Sequence, residues 1–285
     1  MEASDTVTPQ ARPGGVADYE IVRLLGEGVG GRYFLARPPA RLGLAEEFVA
    51  LKVFADRVGE EAYDRGVREL RAFAAVRSPH LVRVFDAVLE DTFVYAMEYY
   101  PLGSLAAPAR ALSRRGALTA LEHAARAAHA LHEAGLAHCD IKPANVLLAG
   151  SAHENPVGGR LSDLGLSRHI TPGTTLTGRG RASSVEFSDP DLLAGARPSR
   201  RTEVWALGAT IHRALSGSGL FGELPDTQPL LAIRTVLTRQ AEINESHLAE
   251  SEAELVRDCL APGSARVPTA EGVADRLAEI AATTR

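Results

Sequence analysis

A change of hydrophobic rhythm at Pro101-Leu102-Gly103 constrains this chain more than any other feature. Before it, short apolar runs alternate with turn residues. Ile21-Val22-Arg23-Leu24-Leu25 runs into glycines and Arg32-Tyr33-Phe34-Leu35-Ala36 resumes, which predicts a hairpin. Arg37–Glu47 reads as a loop, Phe48–Phe54 as a third strand, and Leu81–Ala87 and Thr92–Glu98 as two more. Glu60–Val76 breaks the rhythm, with Val67, Leu70, Phe73 and Val76 at helical spacing. Beyond Gly103, Leu118–Glu133 has a helical stripe that stops at Gly135. Trp205–Leu215, Gln228–Leu237, Glu252–Leu260 and Thr269–Ile280 read as later helices. A mostly β first third and a mostly α remainder predict an α+β, bilobal fold with a ligand cleft between the lobes. The boundaries read as a flexible lead-in at 1–17, containing Pro13-Gly14-Gly15, a first lobe at 18–100 and a second at 101–285.

The length of 285 residues suits one large bilobal domain or two small ones. A net charge of −5 and a pI near 6.0 argue against nucleic acid or an anionic membrane as main partner. Cys139 and Cys259 lie far apart, without metal-ligand spacing, so a disulfide framework is not expected. The first seventeen residues lack a basic segment followed by an apolar core, and no apolar run reaches the roughly eighteen residues of a membrane helix. The expectation is a soluble cytoplasmic protein. Its heavy use of Ala, Arg and Gly suggests a GC-rich bacterial genome.

The densest chemistry lies in His138-Cys139-Asp140-Ile141-Lys142-Pro143-Ala144-Asn145-Val146-Leu147-Leu148. A carboxylate, an ammonium and an amide fall within six residues, between apolar flanks. Phosphoryl transfer needs a positioned nucleophile, neutralised charge and held metal ions rather than covalent chemistry from the protein. Asp140 can accept a hydroxyl proton, Lys142 can neutralise a phosphoryl oxygen, and Asn145 can offer a carbonyl oxygen to Mg²⁺. Upstream, Gly26, Gly28 and Gly31 match G-x-G-x-x-G, which lets backbone N–H groups approach phosphates. Alone this match fits an ordinary Gly-rich hairpin equally well. A dinucleotide fingerprint would lead into a helix, whereas a strand follows here.

The catalytic run closely resembles the H-R-D-L-x-x-x-N loop of protein kinases, with Cys139 in the arginine's place. Val49-Ala50-Leu51-Lys52 resembles the V-A-I-K strand, and Leu161-Ser162-Asp163-Leu164-Gly165 stands where D-F-G belongs. Glu203–Gly208 resembles the D-x-W-x-L-G helix start. These motifs arrive in the family's order over residues 18–282, so the chain is identified as resembling the eukaryotic-like serine/threonine protein kinases of bacteria. The resemblance implies a protein-kinase-like fold with ATP in the cleft. Gly26, Gly28, Gly31 and Lys52 would hold phosphates, and Glu69, ten residues before Pro79, would orient Lys52. Ala50, Met97 as gatekeeper and Leu147 would enclose the adenine, with backbone groups of Glu98 and Tyr100 reading its edge. Asp163 and Asn145 would hold Mg²⁺, with Mn²⁺ as an alternative. Asp140 would take the proton and Lys142, the serine/threonine signature, would steady the transferring charge. Arg266 would pair with Asp191 in Asp189-Pro190-Asp191. The implied activity is transfer of the ATP γ-phosphoryl group to protein Ser or Thr, with autophosphorylation. No nucleic-acid or membrane partner is implied, and regulation would come through a soluble partner.

The departures cut the other way. Cys139 cannot grip a phosphorylated activation loop as arginine does, so activity is expected to depend on loop phosphorylation weakly or by another route. Tyr33 stands where the family has the valine over the adenine, Leu164 replaces Phe, and Glu203 adds a methylene to an acid expected to brace the catalytic-loop backbone. These motivate an alternative, a pseudokinase acting as nucleotide-binding scaffold, although none removes a group that performs chemistry. A small-molecule kinase of aminoglycoside-phosphotransferase type shares the His-x-Asp loop but typically lacks the equivalent of Lys142. Thr171, Thr174, Thr175, Thr177, Ser183 and Ser184 are loop hydroxyls, with Ser184 expected near Asp140 and Lys142.

Overall fold

The computed structural model describes residues 16–28, 31–54, 60–89, 92–150, 158–163, 182–225 and 228–284. The first part forms a five-stranded antiparallel sheet in the order β1-β2-β3-β5-β4. Its strands are β1 (Glu20–Gly28), β2 (Gly31–Arg37), β3 (Val49–Phe54), β4 (Val84–Leu89) and β5 (Phe93–Glu98). Alternation sorts the side chains onto two faces. Val49, Leu51, Val94 and Ala96 pack with Tyr19 on one face. Ala50, Phe54, Phe93, Tyr95 and Met97 join the main core on the other, where α1 (Glu60–Ala75) adds Leu70 and Phe73. Gly31 is irreplaceable by geometry. Its φ is +149°, and a Cβ there would lie 2.0 Å from the Val53 carbonyl oxygen.

The helical part is built on α2 (Arg114–Glu133) and α3 (Arg200–Ser216), with α4 (Pro229–Thr238), α5 (Glu250–Leu260) and α6 (Ala270–Thr283) around them. Helix α2 begins earlier than its apolar stripe, because Ser113 caps it by accepting the Gly116 amide at 3.1 Å. Helices α3 and α5 approach so closely that a Cβ on Gly208 would sit 2.5 Å from that of Cys259. Cys259 is fully buried there, and burial pushes its thiol up to about 12.

A second, four-stranded sheet was not legible beforehand. It runs β7-β6-β8-β9, from β6 (Gly103–Ser104), β7 (Ala107–Pro108), β8 (Val146–Ala149) and β9 (Gly158–Leu161). Leu161 ties this sheet to the first part: its amide donates to the His80 carbonyl at 2.8 Å, and its carbonyl accepts the Val82 amide at 3.1 Å. That stitch lies two residues before Asp163. One apolar core, from Phe54 and Met97 to Leu131 and Leu277, runs through both parts. Among the described residues, no helix is long and apolar enough to cross a membrane.

Candidate active site

Strand register creates the first half of the site. Tyr33 on β2 lies opposite Lys52 on β3, and Lys52 lies opposite Tyr95 on β5. The three side chains therefore share one row on one face of the sheet. The Lys52 ammonium sits 5.1 Å from the Tyr33 ring centroid and 5.8 Å from that of Tyr95, within cation–π range. All three converge on Asp163, which follows β9. Lys52 pairs with its Oδ1 at 2.9 Å across 111 residues of sequence, and Tyr33 donates to Oδ2 at 2.6 Å. The Tyr95 hydroxyl also donates to Oδ1. Asp163 has a φ of +57°, an uncommon conformation for a residue other than glycine. Burial alone would push its carboxyl up, but Lys52 and the two phenols hold it below the usual carboxylate range. Burial, together with Asp163, drives both phenols well above their ordinary value, so they remain donors.

The run from His138 to Leu148 supplies the second half. Asn145 donates its side-chain N–H groups to the Asp140 carbonyl at 2.7 Å and to Asp140 Oδ2 at 2.9 Å. The Lys142 ammonium lies 2.8 Å from the same Oδ2 and donates to Ser184 Oγ at 3.0 Å, the meeting expected from sequence. Beneath this loop, Glu203 accepts the amides of His138 at 2.8 Å and Cys139 at 2.6 Å, and meets His132 Nε2 at 2.9 Å. The extra methylene of Glu203 is absorbed and the brace is made. Burial would raise this carboxyl; the His132 bond, His138 and the two amides outweigh it and lower it overall. His138 is fully buried, with Nε2 facing the Ser162 carbonyl at 2.9 Å and Nδ1 accepting the Asp140 amide at 3.3 Å. Burial lowers its affinity for a proton, and its two ring nitrogens hold the loop from within the core.

The other expected residues fall around this centre. Gly26 and Gly28 end β1, opposite Tyr33 and Gly31. Ala50 and Met97 are buried cross-strand neighbours, and Glu98 closes β5. The Tyr100 carbonyl accepts the Gly103 amide at 3.3 Å, and Leu147 is half-buried on β8. Glu69 is half-buried on α1, whereas the described ion pair of Lys52 is with Asp163. Leu164, Gly165 and the hydroxyls from Thr171 to Thr177 lie outside the described residues, as do residues 1–15 of the expected lead-in. Cys139 has a φ of +64° and lines a small cavity with Asp140, Ser184, Phe187 and Glu203.

One expected partner is wrong. Arg266 pairs with Asp189, not Asp191. Asp189 is the N-cap of the helical turn Pro190–Leu193, accepting the Asp191 amide at 2.9 Å, which turns its carboxylate inward, while Asp191 stays exposed. Tyr95 was also missed: β3 and β5 pair across the intervening α1 and β4, so no hairpin register places it opposite Lys52.

The donor set suits a hard divalent cation held together with phosphates. Such ions take oxygen ligands, and the Asp163 carboxylate is acceptor-only. Asn145 turns its nitrogen to Asp140, so its side-chain oxygen is the end that could ligate a cation. A family model for the protein kinase domain matches residues 19–276. The chain belongs to the protein kinase family. Among its relatives, the DNA damage-responsive serine/threonine-protein kinase RqkA of Deinococcus radiodurans is 32% identical over 219 residues, 71% of this chain and 30% of that protein. The serine/threonine-protein kinase PknJ of Mycobacterium tuberculosis is 33% identical over 215 residues, 72% of this chain and 35% of that one. Aurora kinase C of Mus musculus is 28% identical over 227 residues, 78% of each chain. The kinase chain thus spans about a third of the length of these two bacterial relatives.

Proposed function

We propose that this protein kinase domain transfers the γ-phosphoryl group of ATP to Ser or Thr hydroxyls of proteins, with Mg²⁺ as the resident metal. The observation that carries the reading is the Lys52–Asp163 ion pair, which joins the sheet to the helical part beside an intact Asp140-Lys142-Asn145 cluster. Lys52 binds phosphate oxygens, with Glu69 directing it, and the turn through Gly26, Gly28 and Gly31 covers the phosphates. Ala50, Met97 and Leu147 enclose the adenine, and backbone groups of Glu98 and Tyr100 read it. Asp163 and the Asn145 oxygen would hold Mg²⁺, which neutralises phosphate charge when bound.

Asp140 orients the acceptor hydroxyl and takes its proton as the oxygen attacks the γ-phosphorus. The bond to the β–γ bridging oxygen breaks, and ADP leaves with that electron pair. Lys142 neutralises charge on the moving group, and Ser184 fixes the lysine's direction. Turnover on the order of 1–100 s⁻¹ fits this class. The setting we infer is cytoplasmic signalling, with a regulatory protein partner and a lobe boundary near residue 100. The test is phosphate transfer from Mg²⁺-ATP to a generic Ser/Thr-rich acceptor protein and to the chain itself. Wild type is expected to label both, and Lys52→Met and Asp140→Asn to lose at least a hundredfold in rate, about 2.7 kcal/mol of barrier. Equal labelling by wild type and Asp140→Asn would refute the assignment.

A further inference from the structure

Asp163 is claimed twice. As a metal ligand it needs a carboxylate oxygen turned to the phosphates, yet both oxygens already accept hydrogen bonds inside the chain: Oδ1 from Lys52 and Tyr95, Oδ2 from Tyr33. The two phenols differ in what they can do. Tyr95 is fully buried on β5, so it is fixed in place. Tyr33 is less deeply buried, on β2 two residues after Gly31. Its bond to Asp163 crosses the cleft from roof to floor, joining residues 130 apart in sequence. It is the sole donor to Oδ2 among the described residues, so Oδ2 is the oxygen that its departure would release.

A carboxylate oxygen that accepts a short phenol bond is a poorer ligand, because the donor proton takes one of its two lone pairs and crowds the cation on the other. The register makes this contact a property of the fold. The row Tyr33–Lys52–Tyr95 points all three groups at one place, and an apolar side chain at position 33 would leave Oδ2 open. We propose that Tyr33 is a latch on the metal site: its hydroxyl competes with the divalent cation for Asp163 Oδ2, so loading of the metal requires the β1–β2 hairpin to lift. The proposal rests on the kinase reading and adds a control on it. The latch raises the Mg²⁺ concentration needed to bind ATP and couples hairpin opening to metal entry.

The experiment is calorimetric titration of the folded chain with ATP at a series of Mg²⁺ concentrations and in EDTA. Tyr33→Phe keeps the ring and removes only the hydroxyl. The half-saturating Mg²⁺ concentration is expected to fall about tenfold in Tyr33→Phe, equivalent to roughly 1.4 kcal/mol. ATP binding in EDTA is expected to stay the same in both proteins, because that readout does not involve the Asp163–metal bond. Tyr33→Leu, which also removes the ring, is expected to show at least the same Mg²⁺ shift. An unchanged or higher Mg²⁺ requirement in Tyr33→Phe overturns the latch and leaves the kinase reading standing. Failure of wild type and both variants to bind ATP at any Mg²⁺ concentration overturns the kinase reading and the latch with it.

Discussion

Replacing Asp189 tests how the segment after Ser184 is anchored. Its carboxylate is almost wholly buried against Arg266, whose guanidinium also donates to the Ala261 and Arg201 carbonyls at 2.9 Å each. Asp189→Ala therefore strands a buried cation, and breaking such a pair costs about 3–5 kcal/mol. It also removes the cap of Pro190–Leu193, a further loss of roughly 1 kcal/mol. The total of about 4–6 kcal/mol corresponds to a fall in Tm of ~10–20 °C in a domain of this size. Asp189→Asn keeps the capping oxygen and loses only the charge, so its cost should be smaller by about the 1 kcal/mol of the cap. Asp191 is exposed in the first turn, where a carboxylate contributes about 0.3–1 kcal/mol, so Asp191→Ala should barely move the transition. Urea denaturation followed by far-UV circular dichroism would give all three values. Equal losses for Asp189→Ala and Asp191→Ala, or a loss below 1 kcal/mol for Asp189→Ala, would refute the reasoning.

Other expectations follow from the same contacts. The Glu203 carboxyl is held below its ordinary value near 4.5, so its contribution to stability is present above that pH and is lost as pH falls through the depressed folded value. Glu203→Gln should be less stable at pH 7 and show a shallower loss as pH falls below about 4.5 in thermal melts; an unchanged acid limb contradicts the brace. Gly31→Ala forces a Cβ against the Val53 carbonyl, so a loss of more than ~2 kcal/mol in urea and weakened ATP binding are expected. A neutral result would mean that the hairpin does not close as described. Lys52→Met leaves Asp163 without its cation, and carbonyl infrared spectroscopy with Asp163→Asn as the blank should show this carboxyl protonating at higher pH than in wild type.

Much of this was legible because residues with one role repeat at a fixed period. Val49, Leu51 and Val53, or Val67, Leu70 and Phe73, carry strand and helix rhythms that survive into the structure. Strands β8 and β9 carry no such signal, since Val146–Ala149 is short and Gly158–Leu161 opens with two glycines. Helix α2 gained its first turn from Arg114-Arg115-Gly116-Ala117, which has no apolar spacing; only the Ser113 cap marks it. The charged cluster around Asp140 was readable because its members are local in sequence. The contacts of Asp163 were not, because Tyr33 and Tyr95 reach it through sheet register rather than spacing along the chain. Asp189 and Asp191 look alike in sequence, and only the cap geometry chooses between them.

The account's central claim is that residues from both parts of the chain close around one metal–nucleotide complex. Crystals grown with a non-hydrolysable ATP analogue and Mn²⁺ test it directly, because anomalous scattering locates the metal. The account predicts a peak about 2.1 Å from an Asp163 carboxylate oxygen and the Asn145 side-chain oxygen, with Lys52 on the phosphates and the Tyr33 hydroxyl away from Asp163. A nucleotide bound elsewhere, or a metal that touches neither Asp163 nor Asn145, would contradict it.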